Sequence, residues 1–237
     1  MDSLEFPGNN GRINPSDLYL ARGDGEISPY RPYLIGDVFD GVLIPNDAGK
    51  EKKRKIAILQ HPCSMRKDGV TLKDSILVAK VSKYKDLSVD DWRTGYFKFM
   101  PLPELEGNPQ NFVVEFDNLY TVSPTQLDDA NRIASLSLRG INLLLQRWVH
   151  YMSRVVVPTQ TINDATESFV DESDVIEEWC ETFAIDETKD AIREAGLSCM
   201  EWLRAEHPDG MTYQKMLKDP QSRSTVRKAL RAKLNTQ

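Results

Sequence analysis

Cysteine, histidine and long apolar runs are all scarce in this chain. Three cysteines (Cys63, Cys180 and Cys199) and three histidines are spread over 237 residues. An odd, widely spaced set of thiols excludes a disulfide-stapled scaffold and suits a reducing compartment. Neither a CxxC pair nor a histidine cluster occurs, so no metal site is expected and no cofactor is implied. The G-x-S-x-G elbow, the Walker A loop, the Rossmann fingerprint and H-E-x-x-H are also missing. No stretch approaches the ~18 apolar residues that a membrane-spanning helix needs. The opening residues MDSLEFPGNN lack the basic and apolar regions of a secretory signal. No membrane partner is therefore expected, and a cytoplasmic location follows by elimination.

The formal charge of −6 argues against indiscriminate coating of nucleic acid, but it leaves room for a local basic site. An apolar fraction of 40% suffices for a packed core. Residues 1–35 are rich in Gly, Pro, Asn and Asp and read as an irregular arm, anchored by Leu18, Tyr19 and Leu20. Within it Arg22-Gly23-Asp24 reads as turn residues.

The informative stretch runs from Gly36 to Tyr84. Val38 to Ile44 reads as a strand ended by Pro45, followed by a turn at Asn46-Asp47-Ala48-Gly49 and a charged loop over Lys50–Lys55. Ile56 to Leu59 is a short apolar run typical of a buried strand, halted near His61 by Pro62. Lys67-Asp68-Gly69 is another turn, and Ile76 to Val81 a third strand. Gly95 to Met100 reads as a fourth, Pro101 to Gln110 as a loop, and Phe112 to Val122 as the last strand. The expectation is α+β: a small antiparallel SH3-like β-barrel with appended helices over residues 36–157, followed by a C-terminal α-helical region over 158–237.

Helical signals dominate after Val122. Ser123, Pro124 and Gln126 form a capping box with proline at the first helical position, predicting a short helix to about Ala134. A second helix is predicted over about 138–155. One of its faces carries Ile141, Leu144, Leu145, Trp148, Val149 and Met152, and the other Arg139, Asn142, Gln146, Arg147, His150 and Arg154. The basic face is either a phosphate-contacting surface or a partner for acids elsewhere. Residues 164–194 contain twelve acids against Lys189 and Arg193. Residues 158–170 read as a polar linker. Ser173 is the predicted cap of one later helix, Asp186 or Thr188 of the next, and Asp219-Pro220 of the last. From Lys215 to Lys233 seven basic residues face one acid, Asp219. This run is either a solvated helix end or a surface for nucleic acid or an acidic partner.

Several of these pieces carry a resemblance. Gly36-Asp37-Val38, Arg54-Lys55-Ile56-Ala57-Ile58-Leu59 and Leu77-Val78-Ala79-Lys80-Val81-Ser82 look like the SH3-like barrel of the PemK/MazF toxin superfamily, over roughly residues 36–120. Gln60 to Cys63 is similar to an uncharacterised bacterial branch with a Gln-x-Cys strand end. The resemblance implies cleavage of single-stranded RNA without a metal, in a toxin or phage-defence setting. By position, Arg54 and Ser82 match that family's arginine and hydroxyl residue. Lys55 stands where the family has proline. His61 is the best-placed titratable group to serve as a base, and Lys52, Lys53 and Arg66 are candidates for flanking phosphates. Arg139, Arg147 and Arg154 complete the candidate nucleic-acid-binding set.

Three further readings stand beside this one. Arg54, Ser82 and His61 diverge if the barrel is a non-catalytic module that docks nucleic acid or protein, or forms a homodimer through the helical tail. His61 with Cys63 is a conceivable nucleophile pair with no orienting acid in view. Asp47 with Glu51-Lys52-Lys53 echoes a metal-nuclease layout, although all four fall in the predicted loop.

Overall fold

A computed structural model describes residues 3–8, 11–23, 25, 27–45, 49–94 and 98–235. The expected turn at 46–48, Asp47, Asp24 and the start of the expected strand at 95–97 lie outside the described residues. The chain divides into two compact units. The first comprises Met1–Ile27, Leu34–Met65 and Lys73–Thr166; the second comprises Ser28–Tyr33, Arg66–Leu72 and Glu167–Gln237.

In the first unit the elements run β1 (Tyr19–Arg22), β2 (Val38–Pro45), β3 (Glu51–Ile58), α1 (Pro62–Met65), β4 (Ile76–Tyr84), α2 (Val89–Thr94), β5 (Phe99–Leu102), β6 (Asn111–Val122), α3 (Pro124–Asp128), β7 (Asn131–Leu136) and α4 (Leu138–Ser153). Seven strands form one antiparallel sheet in the order β1-β7-β2-β3-β4-β6-β5. Among the described residues no ladder joins the edge strands β1 and β5, so a closed barrel is not formed. Side chains bridge the gap instead. Tyr19 Oη donates to Pro103 O at 3.0 Å, and Arg22 reaches Pro103 O at 3.1 Å, Glu104 O at 2.8 Å and the Glu104 carboxylate at 2.9 Å. The sheet therefore curls until β1 lies beside the chain that leaves β5. Gly23, at φ +57°, permits this approach: a Cβ there would stand 2.7 Å from Glu106 O.

Four features of this unit correct the sequence expectations, while the second predicted helix forms as α4. β1 lies inside the arm expected to be irregular. The charged stretch Lys50–Lys55 is not a loop: from Glu51 onward it is β3, paired to β2 through Val42↔Arg54, Leu43↔Lys53 and Ile44↔Lys52. Lysine and glutamate disfavour strands only weakly, and pairing with an apolar neighbour strand outweighs that. Pro101 sits within β5 rather than a loop; β5 is an edge strand, where a missing N–H costs no ladder bond. The capping box at Ser123 forms as expected, but its helix stops at Asp128 and the chain enters β7. The second predicted helix, α4, ends at Ser153, where Arg154 adopts φ +62°.

What draws 131–136 into the sheet is a buried carboxylate. Asp37 Oδ1 accepts from Ser135 Oγ at 2.5 Å. Its Oδ2 accepts from Leu34 N at 2.9 Å and Arg132 Nη1 at 3.2 Å. The Asp37 side chain is 2% exposed. Gly36, at φ +88°, lets β2 begin directly beneath Leu136, since a Cβ would meet Leu136 Cδ1 at 2.6 Å.

In the second unit α5 (Thr159–Phe183), which begins in the first unit, is followed by α6 (Lys189–Arg204), α7 (Tyr213–Met216) and α8 (Arg223–Leu234). The expected polar linker at 158–170 is instead the first part of α5. Ser173 lies mid-helix, its hydroxyl donating to Phe169 O at 2.9 Å. The threonine of the Asp186/Thr188 alternative is the cap: Thr188 opens α6. Asp219 does not cap α8, which starts at Arg223 after Ser222. The core joins Val175, Ile176 and Trp179 to Cys199, Leu203, Val226 and Leu230. Each such side chain contributes roughly 1.5–3 kcal/mol by leaving water.

The two charge runs find each other here. Arg223 meets Glu167 at 2.6 Å and Asp171 at 3.2 Å; Arg227 meets Glu178 at 2.8 Å and Asp174 at 3.2 Å. Arg31, 6% exposed, takes Asp174 at 2.8 Å and Glu177 at 2.5 Å.

Burial of these groups can be tested in two ways. Asp37→Ala removes an acceptor from Ser135, Arg132 and the Leu34 amide. Urea unfolding is expected to shift to lower concentration by about 2–4 kcal/mol of stability with little change in slope. A thiol reagent at neutral pH is expected to modify one cysteine quickly, the exposed Cys63. Cys180 and Cys199 react only on unfolding, because burial raises both thiol pKa values, that of Cys180 to about 12.

Candidate nucleic-acid interface

Lys52, Lys53, Arg54 and Ser82 are four of the expected site residues, and the sheet register says how they lie. β3 pairs with β4 from Ile58↔Val78 to Lys55↔Val81. Beyond that point Glu51–Arg54 pairs only with β2, and Ser82–Tyr84 pairs only with β6. The two strands part, and Arg54 and Ser82 are the first residues on the two arms of the fork. Side chains two apart on a strand share a face. Arg54 therefore shares its face with Ile56, which stands opposite Lys80, and Lys80 shares its face with Ser82 and Tyr84.

Charge at the fork is unevenly committed. Lys55, on the other face, is held by Asp40 at 2.8 Å and Glu106 at 3.2 Å. Burial opposes its charge, but these two carboxylates outweigh burial and raise its pKa. Lys80 pairs with Glu115 at 3.2 Å. Lys52 and Lys53 are exposed and make no ion pair among the described residues. Arg54 is half-buried, and its Nε, shut off from solvent, has no hydrogen-bond partner among them. The face continues past the ion pair. Glu115 lies opposite both Lys80 and Phe99, which puts Phe99 on the same side as Tyr84. The Tyr84 and Phe99 rings are 5.7 Å apart at 52°.

The other expected site residues lie elsewhere. His61 follows the opposite end of β3; the strand from Arg54 to Ile58 alone spans ~13 Å. Its Nδ1 accepts from Cys63 N at 3.2 Å. Arg54, Ser82 and His61 do not form one cluster. Arg66 belongs to the second unit and is 6% exposed. It donates to Tyr33 O at 2.6 Å and Gly69 O at 3.2 Å, so its guanidinium braces two loops.

The polar face of α4 is largely interior. Arg147 is 1% exposed, donates to Trp92 O at 2.6 Å and Glu5 O at 3.0 Å, and lies over the Trp92 ring. That burial removes it from any phosphate-contacting surface. Arg139 pairs with Glu5 at 3.1 Å and donates to Thr159 Oγ1 at 2.6 Å. Arg154 alone of the three is exposed, at the left-handed cap of α4. The anion that answers this face is Glu5, in the N-terminal arm. Its carboxylate also accepts from Thr159 N at 2.8 Å, Thr159 Oγ1 at 2.7 Å and Gln146 Nε2 at 3.2 Å. Sequence reading missed Glu5 because nothing local marks a residue that acts across more than a hundred positions. It also missed the Tyr84–Phe99 pair, whose only signal is strand alternation at Ser82 and Tyr84.

No protein-family model matches the chain, and no curated protein matches it either. Among the described residues no helix is long and apolar enough to cross a membrane, and no group of three or more His, Cys, Asp or Glu side chains is placed to hold a metal ion.

Glu5 generates a pH prediction. Burial opposes its ionisation, but the Thr159 amide and hydroxyl together with Arg139 outweigh burial, so its pKa lies below the ordinary value. A lowered carboxyl pKa adds stability above the unfolded-state value, and that stability is lost as pH falls through the folded value. Glu5→Gln is therefore expected to unfold more readily than wild type at neutral pH. The difference should shrink toward zero as acid protonates Glu5 in the wild type, as read by paired denaturation curves.

Proposed function

We propose that the first unit is a nucleic-acid-binding module that holds a phosphodiester backbone at the β3–β4 fork without cutting it. The observation that carries this reading is the buried Arg54 Nε with no partner among the described residues, beside Lys52, which shares its face and makes no ion pair there. A buried donor left unsatisfied costs roughly 1–3 kcal/mol. A phosphate oxygen would supply the acceptor once the half-buried side chain turns outward, and Lys52, on the same face, would gain by counterion release.

The strongly curled sheet, bridged at its edges by Tyr19 and Arg22, is compatible with an SH3-like barrel. The resemblance to the PemK/MazF superfamily supports RNA as the ligand, since its arginine and hydroxyl positions fall at Arg54 and Ser82 on adjoining arms. Binding is favoured over cleavage because His61 stands at the other end of β3. A hydroxyl such as Ser82 is a poor base near neutral pH, so activation of a ribose 2′-OH lacks a group to take its proton.

The test is fluorescence anisotropy with a short labelled single-stranded RNA over a range of salt. Wild type is expected to bind with a falling log K against log salt. Lys52→Ala should flatten that slope by about 0.7, the change for one phosphate no longer neutralised. Arg54→Ala should weaken binding further. The strand should stay intact in EDTA. Absence of binding, or an unchanged slope in Lys52→Ala, overturns the assignment. Cleavage that disappears in Arg54→Ala establishes a ribonuclease instead.

A further inference from the structure

We infer that Tyr84 and Phe99 form a base-stacking subsite on the sheet face that carries Arg54, so that the ligand is held by a base as well as by phosphate. This rests on the nucleic-acid reading of the fork and adds residues to it.

Strand register brings the pair to the fork. Lys80, Ser82 and Tyr84 alternate along β4 onto one face, and Phe99 reaches that face across β6 through Glu115. The order of strands is β3-β4-β6-β5, so the face runs from cation to hydroxyl to aromatic pair. Neighbouring strands lie ~4.8 Å apart, and two residues along β4 cover ~7 Å. Tyr84 is thus within a nucleotide's reach of Ser82 and the fork.

The rings are suited to the task by exposure and surroundings. Both are half-buried, neither sunk in the core nor projecting freely. On the same face, on β6 and β5, lie Val113 and Pro101, both buried. Glu115, which lies on this face, is held by Lys80 and by the Asn118 amide, which tempers its repulsion of a phosphate. An aromatic surface flanked by cations is how proteins hold single strands: every base has a face to stack, and the phosphates follow the positive charge. A duplex offers no unstacked base, so the pair would discriminate in favour of a single strand. A simpler role is that the rings only shield Val113 and Pro101 from water. Leucine would perform that role equally well, so leucine variants separate the two roles.

Two single strands of equal length and charge are compared by anisotropy on the full chain, one carrying bases and one abasic. Wild type is expected to bind the base-bearing strand at least roughly five-fold more tightly per stacked base. Tyr84→Leu, and separately Phe99→Leu, should reduce that preference while leaving the salt slope unchanged, with circular dichroism confirming the fold. Equal affinity for the two strands in wild type, with the salt slope intact, overturns the stacking subsite and leaves the phosphate site standing. Failure of both strands to bind overturns the phosphate site and this inference together. The wild-type comparison needs no variant, so a misfolded substitution cannot obscure the answer.

Discussion

The first unit depends on one buried carboxylate. Asp37 stands where β2 begins and accepts hydrogen bonds from the Leu34 amide, the Ser135 hydroxyl and the Arg132 guanidinium. A carboxylate taken from water is tolerated only when its lone pairs are met. Meeting them here requires that 131–136 lie beside β2. That placement makes β7 a strand, puts β1 on its far side, and sets α4 going from Ser137. Gly140 then lets α4 close on Leu18, where a Cβ would stand 2.1 Å from the Leu18 carbonyl oxygen. The side-chain bridge between the two edges follows from the same arrangement, because β1 must be in place before Arg22 can reach Glu104.

The second unit solves a different problem. Its longest helix carries acids at 167, 171, 174, 177 and 178, too close together on one face to be comfortable without cations. Three arginines answer them: two from α8 and one, Arg31, from a segment far earlier in the chain. The unit is thus assembled from three separate stretches. Burial and the neighbouring acids push the Asp171 pKa upward even though Arg223 and Arg227 pull against them. Most of the positive charge on the inner side of α8 is spent on this neutralisation. The binding surface proposed for the chain lies instead at the β3–β4 fork, where Lys52 and Arg54 make no ion pair among the described residues.

That contrast explains why a chain of net negative charge can still carry a cationic site. What matters is how many positive side chains remain uncommitted at one place. Arg147 and Arg66 are spent on backbone carbonyls, Arg139 on Glu5, and Lys55 on Asp40 and Glu106. Among the described residues Lys52 and Arg54 make no ion pair, and β3 leaves β4 at Lys55, so no ladder flanks them on that side. The fork is thereby a consequence of sheet topology, and the same divergence opens the face on which Ser82 and Tyr84 lie.

Local chemistry alone determined a good part of this protein. The apolar runs at 38–44, 56–59 and 76–81 are strands because alternating or continuous apolar residues have few other stable arrangements. The Ser123 capping box is legible because its partners lie within three residues, and the helical character of 189–204 because its apolar stripe repeats. Arg54 and Ser82 were singled out only through a family resemblance; the register sets them on adjoining arms. Tertiary structure alone decided the remainder. Whether KEKKRK is loop or strand depended on β2, and whether 131–136 is helix or strand depended on Asp37. Whether an arginine on the polar stripe of α4 meets solvent depended on the N-terminal arm that Glu5 holds down. A sequence states how many charges a helix carries, but their availability depends on partners more than a hundred residues away, brought near only by folding.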